Sequence, residues 1–247
     1  MKKFFSLFLC VSLLAACSNT DETKIEPPSN NGGETNNTAN QAKAQHADFQ
    51  SAIPADWQVQ LPTDFPIKKD TFLTAKTTVT EDKITYDFYQ FDDEVELDAA
   101  NVTDGYYIGQ LTVTRYEDEL KADDELLVQL TLHDDYIADI GPELIYPFTE
   151  GDESIVNWSS NGWNIFAYSR EKSEQELVDW IKEKDLVNEI SNGIENGYYP
   201  RPQIVGQMHF YADDETRNFA TWAKKEIVFT LKDFNENTLD WLHVFNK

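Results

Sequence analysis

The sequence predicts an α+β domain, an antiparallel β-sheet with helices packed on one face. Three observations carry that expectation. Apolar and polar residues alternate with the period of a half-buried strand over Phe72–Val79, Lys83–Phe91 and residues 107–114. Ser173-Glu174-Gln175-Glu176 has the spacing of a capping box, and the helix it opens sets Leu177, Trp180, Ile181 and Lys184 along one stripe. The third is an internal repetition. Asn157-Trp158, a turn, a strand over 163–168 and a helix carrying Leu177 and Trp180 are followed, 64 residues on, by Thr221-Trp222, Lys224-Lys225, a strand over 227–231 and a segment carrying Leu239 and Leu242. Two tandem β-turn-β-α units imply an antiparallel sheet covered by helices on one side.

Taken in chain order, the first element is a leader. Lys2 and Lys3 precede an apolar stretch over 4–14, shorter than the roughly 20 residues that cross a bilayer. The stretch fits the apolar core of a signal peptide. It ends in Leu14-Ala15-Ala16-Cys17, which resembles the bacterial lipobox. That resemblance implies removal of residues 1–16, attachment of a diacylglycerol to the Cys17 thiol, and acyl chains such as palmitate at the new amino terminus. Two or more acyl chains anchor stably where one is marginal. The expected location is the extracytoplasmic face of the cell membrane. Cys10 goes with the leader, so the mature chain has no second cysteine for a disulfide.

Residues 17–52 are rich in Asn, Thr, Gly and Pro and read as a flexible tether, with a reach of roughly 30–35 Å. A globular domain is expected over 53–247, with a possible sub-boundary near 131. Pro54, Pro62 and Pro66 bracket an extended leading segment that carries Trp57, Val59, Leu61 and Phe65. Glu81-Asp82 is the expected hairpin turn between the first two strands. A helix is expected over 117–130, with Leu120, Leu127 and Leu130 near helical spacing. Further strands are expected over 143–149, 154–159, 163–169, 204–211 and 226–231. Two glycines and three asparagines make 188–197 read as a loop.

Charge excludes one class of function. Twenty Lys and Arg stand against 45 Asp and Glu, a formal net charge of -25, and duplex nucleic acid needs a basic face. Loss of Lys2 and Lys3 makes the mature chain more acidic still, so anionic head groups and anionic wall polymers repel it. No nucleophile elbow, Walker loop, dinucleotide fingerprint or His-Glu-x-x-His is present. His46 falls in the tether. His209 alternates with Met208 and Phe210 as a strand residue, and His133-Asp134-Asp135 reads as a solvated turn or half of a site. Acidic clusters at Asp92-Asp93-Glu94, Asp123-Asp124-Glu125 and Asp213-Asp214-Glu215 allow weak Ca²⁺ binding, but none matches an EF-hand. No cofactor is otherwise implied. Trp158, Trp163, Tyr198 and Tyr199 are the candidate contacts for an apolar ligand or a protein partner. The alternative is that the two tryptophans fill the space between sheet and helix.

A family resemblance rests on short runs. They are Leu61-Pro62-Thr63-Asp64-Phe65-Pro66, Leu73-Thr74-Ala75, Thr85-Tyr86, Ile108-Gly109-Gln110-Leu111 with Arg115-Tyr116, the stretch from Ile155 to Trp163, Val205-Gly206-Gln207-Met208-His209, and Thr221-Trp222. Together they resemble a group of uncharacterised lipoproteins of low-GC Gram-positive bacteria. The chain departs from that pattern at Thr149-Glu150-Gly151-Asp152-Glu153 and over 188–197. More remotely, the β-turn-β-α units are similar to lipoprotein carriers built as a curved sheet with helices inside. Neither group brings a catalytic motif. The expected function is a lipid-anchored, non-enzymatic binding or accessory module of the cell envelope. The alternatives are a carrier or sensor holding an apolar ligand between sheet and helices, and a wall-acting hydrolase.

Overall fold

A computed structural model describes residues 45–127 and 135–246. The leader, Cys17, the tether up to residue 44, Leu130 and the His133-Asp134 pair lie outside the described residues. The strands are β1 (Phe72–Val79), β2 (Lys83–Phe91), β3 (Tyr106–Arg115), β4 (Ala138–Ile140), β5 (Glu143–Glu150), β6 (Glu153–Ser160), β7 (Trp163–Ser169), β8 (Gly206–Tyr211), β9 (Phe219–Lys224) and β10 (Ile227–Lys232). The α-helices are α1 (Glu119–Leu126), α2 (Glu174–Glu183), α3 (Leu186–Glu195) and α4 (Thr238–Val244).

The strands form one sheet in the order β1-β2-β3-β10-β9-β8-β7-β6-β5-β4. Every neighbouring pair is antiparallel except β7 and β8, which run parallel. A parallel pair needs a crossover, and α2 with α3 supplies it. The last strand, β10, enters between β3 and β9, so the sheet is continuous only once the C-terminal hairpin is in place.

Helices cover both faces, not one. On the inner face Trp222, Phe229 and Leu231 join the main core with residues of α2, α3 and α4. Their chain neighbours Ala223 and Val228 point the other way, onto Ala122 and Leu126 of α1. Alternation along a strand guarantees that successive residues face opposite sides. It does not say which side a helix will choose. The helix α1 is also shorter than expected and turned. Asp118 caps it by accepting from the Lys121 N–H at 2.9 Å. That start brings Ala122 and Leu126 inward and leaves Leu120 and Leu127 exposed.

The fold takes in residues that composition assigned to the tether. The Ala47 N–H donates to Leu73 O, and the Leu73 N–H donates to Gln45 O, both at 2.9 Å. Phe49 is 2% exposed and sits edge-on to Phe65 and Phe88, with ring centroids 5.3 and 5.2 Å away. One phenylalanine in a polar run leaves no compositional trace, yet burying it is worth about 2–3 kcal/mol. The fold therefore already includes Gln45, ahead of residue 53. Nor does the core divide near 131. Trp241 of α4 lies 5.7 Å from Phe65 and 5.2 Å from Phe88, ring to ring, and one buried cluster runs from Ala47 to Val244.

The expected loop over 188–197 is the helix α3. Leu186, Val187 and Ile190 fall on its buried stripe, and Gly193 is inside because nothing larger fits. A Cβ there would overlap the Tyr199 ring. Gly109 in β3 has the same role under Phe234. The hairpins β6–β7 and β9–β10 both close with two-residue turns whose first residue has positive φ, 45° at Asn161 and 55° at Lys225. Trp158 stands opposite Ile165 and Trp222 opposite Phe229, at equal distance from the turn.

Candidate functional site

The four residues singled out from the sequence part company in the structure. Trp158 and Trp163 are each 1% exposed. Both face inward, Trp158 beneath α2 and Trp163 with its indole N–H donating to Pro200 O at 3.2 Å. The Trp158 indole N–H has no acceptor among the described residues. Tyr199 is buried against Gly193, and burial, helped by Glu189 and Asp240, pushes its phenol pKa up. Only Tyr198 is exposed, at 50%, with its ring stacked 5.1 Å from His243. Trp163 and Tyr199 meet at a groove of about 410 Å³ beside Pro200, Arg201 and Pro202. Trp158 does not reach it.

The more developed surface is on the outer face, where the sequence drew no attention. Thr78, Thr85, Thr112, Thr230 and Thr221 stand opposite one another across β1, β2, β3, β10 and β9. Gln207, Asn164 and Ser159 continue the line across β8, β7 and β6. The next row along the first four strands is Lys76, Asp87, Gln110 and Lys232. Gln110 Nε2 donates to Asp87 Oδ1 at 2.6 Å, which holds the amide and the carboxylate side by side.

Beyond that row lie two tyrosines. The register of β2 on β3 shifts after Phe88, so Ile108 is skipped and Tyr107 comes opposite Tyr89. Such a bulge re-aims a side chain. Here it puts the two rings 5.6 Å apart and edge-to-face. The Tyr107 hydroxyl donates to Asp233 Oδ2 at 3.1 Å. Burial and the charge of Asp233 raise its pKa, so it stays a neutral donor. Among the described residues the helix α1 packs mainly against β9 and β10, with Gln207 of β8 bonded to its last turn, and α2, α3 and α4 join the inner core. Thr85, Asp87, Tyr89, Gln110, Thr112 and Thr230 are half-exposed. The sequence shows each of these as one polar position in an alternating strand. That they line up depends on β10 lying beside β3, which no local pattern reveals.

Further along the outer face His209 is enclosed. Its ring lies 4.0 Å from Phe219 and 4.8 Å from Phe166, stacked on both. Nε2 is 2.9 Å from Gln207 Oε1, an acceptor, so that nitrogen carries the proton. Nδ1 then accepts from the Tyr168 hydroxyl at 2.8 Å. Gln207 Nε2 donates in turn to Leu126 O at 2.6 Å, tying the array to the end of α1. Burial pushes the His209 pKa down to about 3. Both nitrogens are engaged and the ring is neutral, which is the chemistry of a packing residue and not of an acid or base.

Among the described residues no three His, Cys, Asp or Glu side chains converge as a metal site, and no helix is long and apolar enough to cross a membrane. No family model, curated protein or solved structure matches the chain.

Proposed function

We propose that the chain is a lipid-anchored lipoprotein, related to the low-GC Gram-positive group, held at the extracytoplasmic face of the cell membrane through Cys17. Its domain is a non-enzymatic binding module that works through the open outer face of β1, β2, β3 and β10. The observation that carries this reading is the contrast between the two faces. The space between sheet and α2, α3 and α4 is filled by Trp158, Trp163, Trp222 and Trp241, whereas a carrier would leave an enclosed apolar volume there. The outer face has two tyrosines, a carboxylate–amide pair and a threonine row, and among the described residues its helix α1 packs mainly on β9 and β10. The matched hairpins at Trp158 and Trp222, each followed by a helix, support a tandem β-turn-β-α origin for the C-terminal half.

Two measurements on the full chain test the reading. Cys17→Ala should shift the protein from washed membranes to the soluble fraction. The Tyr89→Ala/Tyr107→Ala double substitution should lower the envelope material that the solubilised protein retains, while Tyr198→Ala leaves it unchanged. Equal membrane retention of Cys17→Ala removes the anchor. Equal envelope retention by the tyrosine pair variant removes the binding face.

A further inference from the structure

We infer that the open face takes an uncharged polysaccharide strand. This rests on the reading of that face as the working surface and names its ligand class. Size is the first argument. Four strands at about 4.8 Å spacing and five residues at about 3.3 Å rise bound an area of roughly 300 Å², from which α1 takes the Val228 end of β10. A stable protein–protein interface buries about 800 Å² on each side. The patch is too small for a globular partner or a second copy, and it suits a narrow polymer.

Polymer class follows from what the face offers. An extended peptide gains affinity by adding to a sheet edge, and here the backbone groups point sideways into the sheet. The described edges suit that purpose poorly. Along β1, Gln45 and Ala47 pair with Leu73, Asp98 N–H donates to Ala75 O, and the Asp98 carboxylate accepts from the Thr77 N–H. At the other edge β4 has three residues, and β5 carries Pro147. An apolar chain finds two tyrosine rings set among hydroxyls, amides and charges that it would leave unpaired. An anionic polymer meets a molecule of net charge -25, which repels it over about 8 Å at physiological salt.

What remains is a ligand with many hydroxyls, no charge and flat C–H faces. Tyr89 and Tyr107 present two rings to such faces. Asp87 and Gln110, locked together at 2.6 Å, present a carboxylate oxygen and an amide side by side, the pairing that accepts from one hydroxyl and donates to its neighbour. Thr85, Thr112 and Thr230 repeat one hydroxyl per strand along the same line, and a hydroxyl both donates and accepts. Strand spacing of about 4.8 Å gives that line a regular step, as a repeating polymer requires and a single small molecule does not.

The test is affinity electrophoresis of the full chain in mild detergent. The gels contain hydroxyethyl cellulose, xylan or dextran, with polygalacturonate as the anionic control, and an N-acetylglucosamine hexamer is titrated separately by calorimetry. At least one neutral probe should retard or bind the protein. Tyr89→Ala/Tyr107→Ala and, separately, Gln110→Ala should weaken that binding about tenfold, while Tyr198→Ala does not. Thr112→Lys, which puts a bulky charge into the row, should also weaken it. Unaltered thermal unfolding of each variant shows that the loss is local. Retardation by polygalacturonate alone, binding indifferent to all three face variants, or no binding to any neutral probe overturns the inference. If neutral probes fail while the tyrosine pair variant still loses envelope material, the ligand class is wrong and the working face stands. If envelope retention is also unchanged, both fall.

Discussion

His209 shows how one side chain can be fixed by its neighbours and still cost stability in acid. Its pKa is held down to about 3 by burial, against an ordinary value near 6.5. In the unfolded chain the ring takes up a proton near pH 6.5, and in the folded chain it does not. The unfolded state therefore binds more protons between about pH 6.5 and 3, and stability falls as pH falls through that window, by up to about 1.4 kcal/mol per unit. Chemical denaturation between pH 7 and 4 should show that slope, and His209→Gln should flatten it. A slope identical in the two proteins would mean that other groups set the acid response. Residue-scale packing also explains Gly193, whose missing side chain is the space Tyr199 occupies.

At the scale of the element, the edge of β1 is closed by a carboxylate. Asp98 Oδ1 accepts from the Thr77 N–H at 2.7 Å and Oδ2 from the Thr77 hydroxyl at 2.6 Å. Partial burial works against that charge, but the Thr77 hydrogen bonds and the Lys76 ammonium outweigh it, and the Asp98 pKa ends lower than usual. The stability it adds is fully present above the ordinary carboxylate range, shrinks as pH falls below that range, and is gone, with the closure itself, once pH passes the lowered Asp98 pKa. An open edge invites pairing with another chain. Asp98→Gly removes the carboxylate and tolerates the φ of 58° at this position. It should speed amide exchange at Thr77 and raise light scattering on mild heating. Unchanged Thr77 exchange would show that the carboxylate does not guard the edge. The alternation that marks β1 as a strand is legible in its eight residues. Its guard comes from 21 positions away and is not.

At the scale of the whole fold, residues from Gln45 on pair with β1, and β10 completes the sheet from the far end of the chain. A fragment over 53–247 lacks Phe49, whose ring packs on Phe65, Tyr86 and Phe88 and whose carbonyl accepts from the Tyr86 hydroxyl at 2.9 Å. It also lacks the backbone pairing to Leu73. Removing a buried phenylalanine costs about 3–5 kcal/mol. The fragment should unfold at clearly lower denaturant than one over 43–247, and Phe49→Ala in the full chain should lose a comparable amount. Equal midpoints would return residues 45–52 to the tether.

The sequence by itself determined where most strands run, that Ser173 opens a helix, and that the chain is strongly acidic. Those are local or summed properties: a side-chain period of two, a cap four residues long, a count of charges. It did not reveal that α1 crosses to the opposite face, that α3 exists around a glycine, or that Phe49 belongs to the core. Nor did it reveal the outer-face row, since Thr112 and Thr230 become neighbours only when β10 docks beside β3. Strand order, choice of face and close approach of backbone to ring are set by contacts between residues far apart in the chain, and their energies enter only when the layers pack.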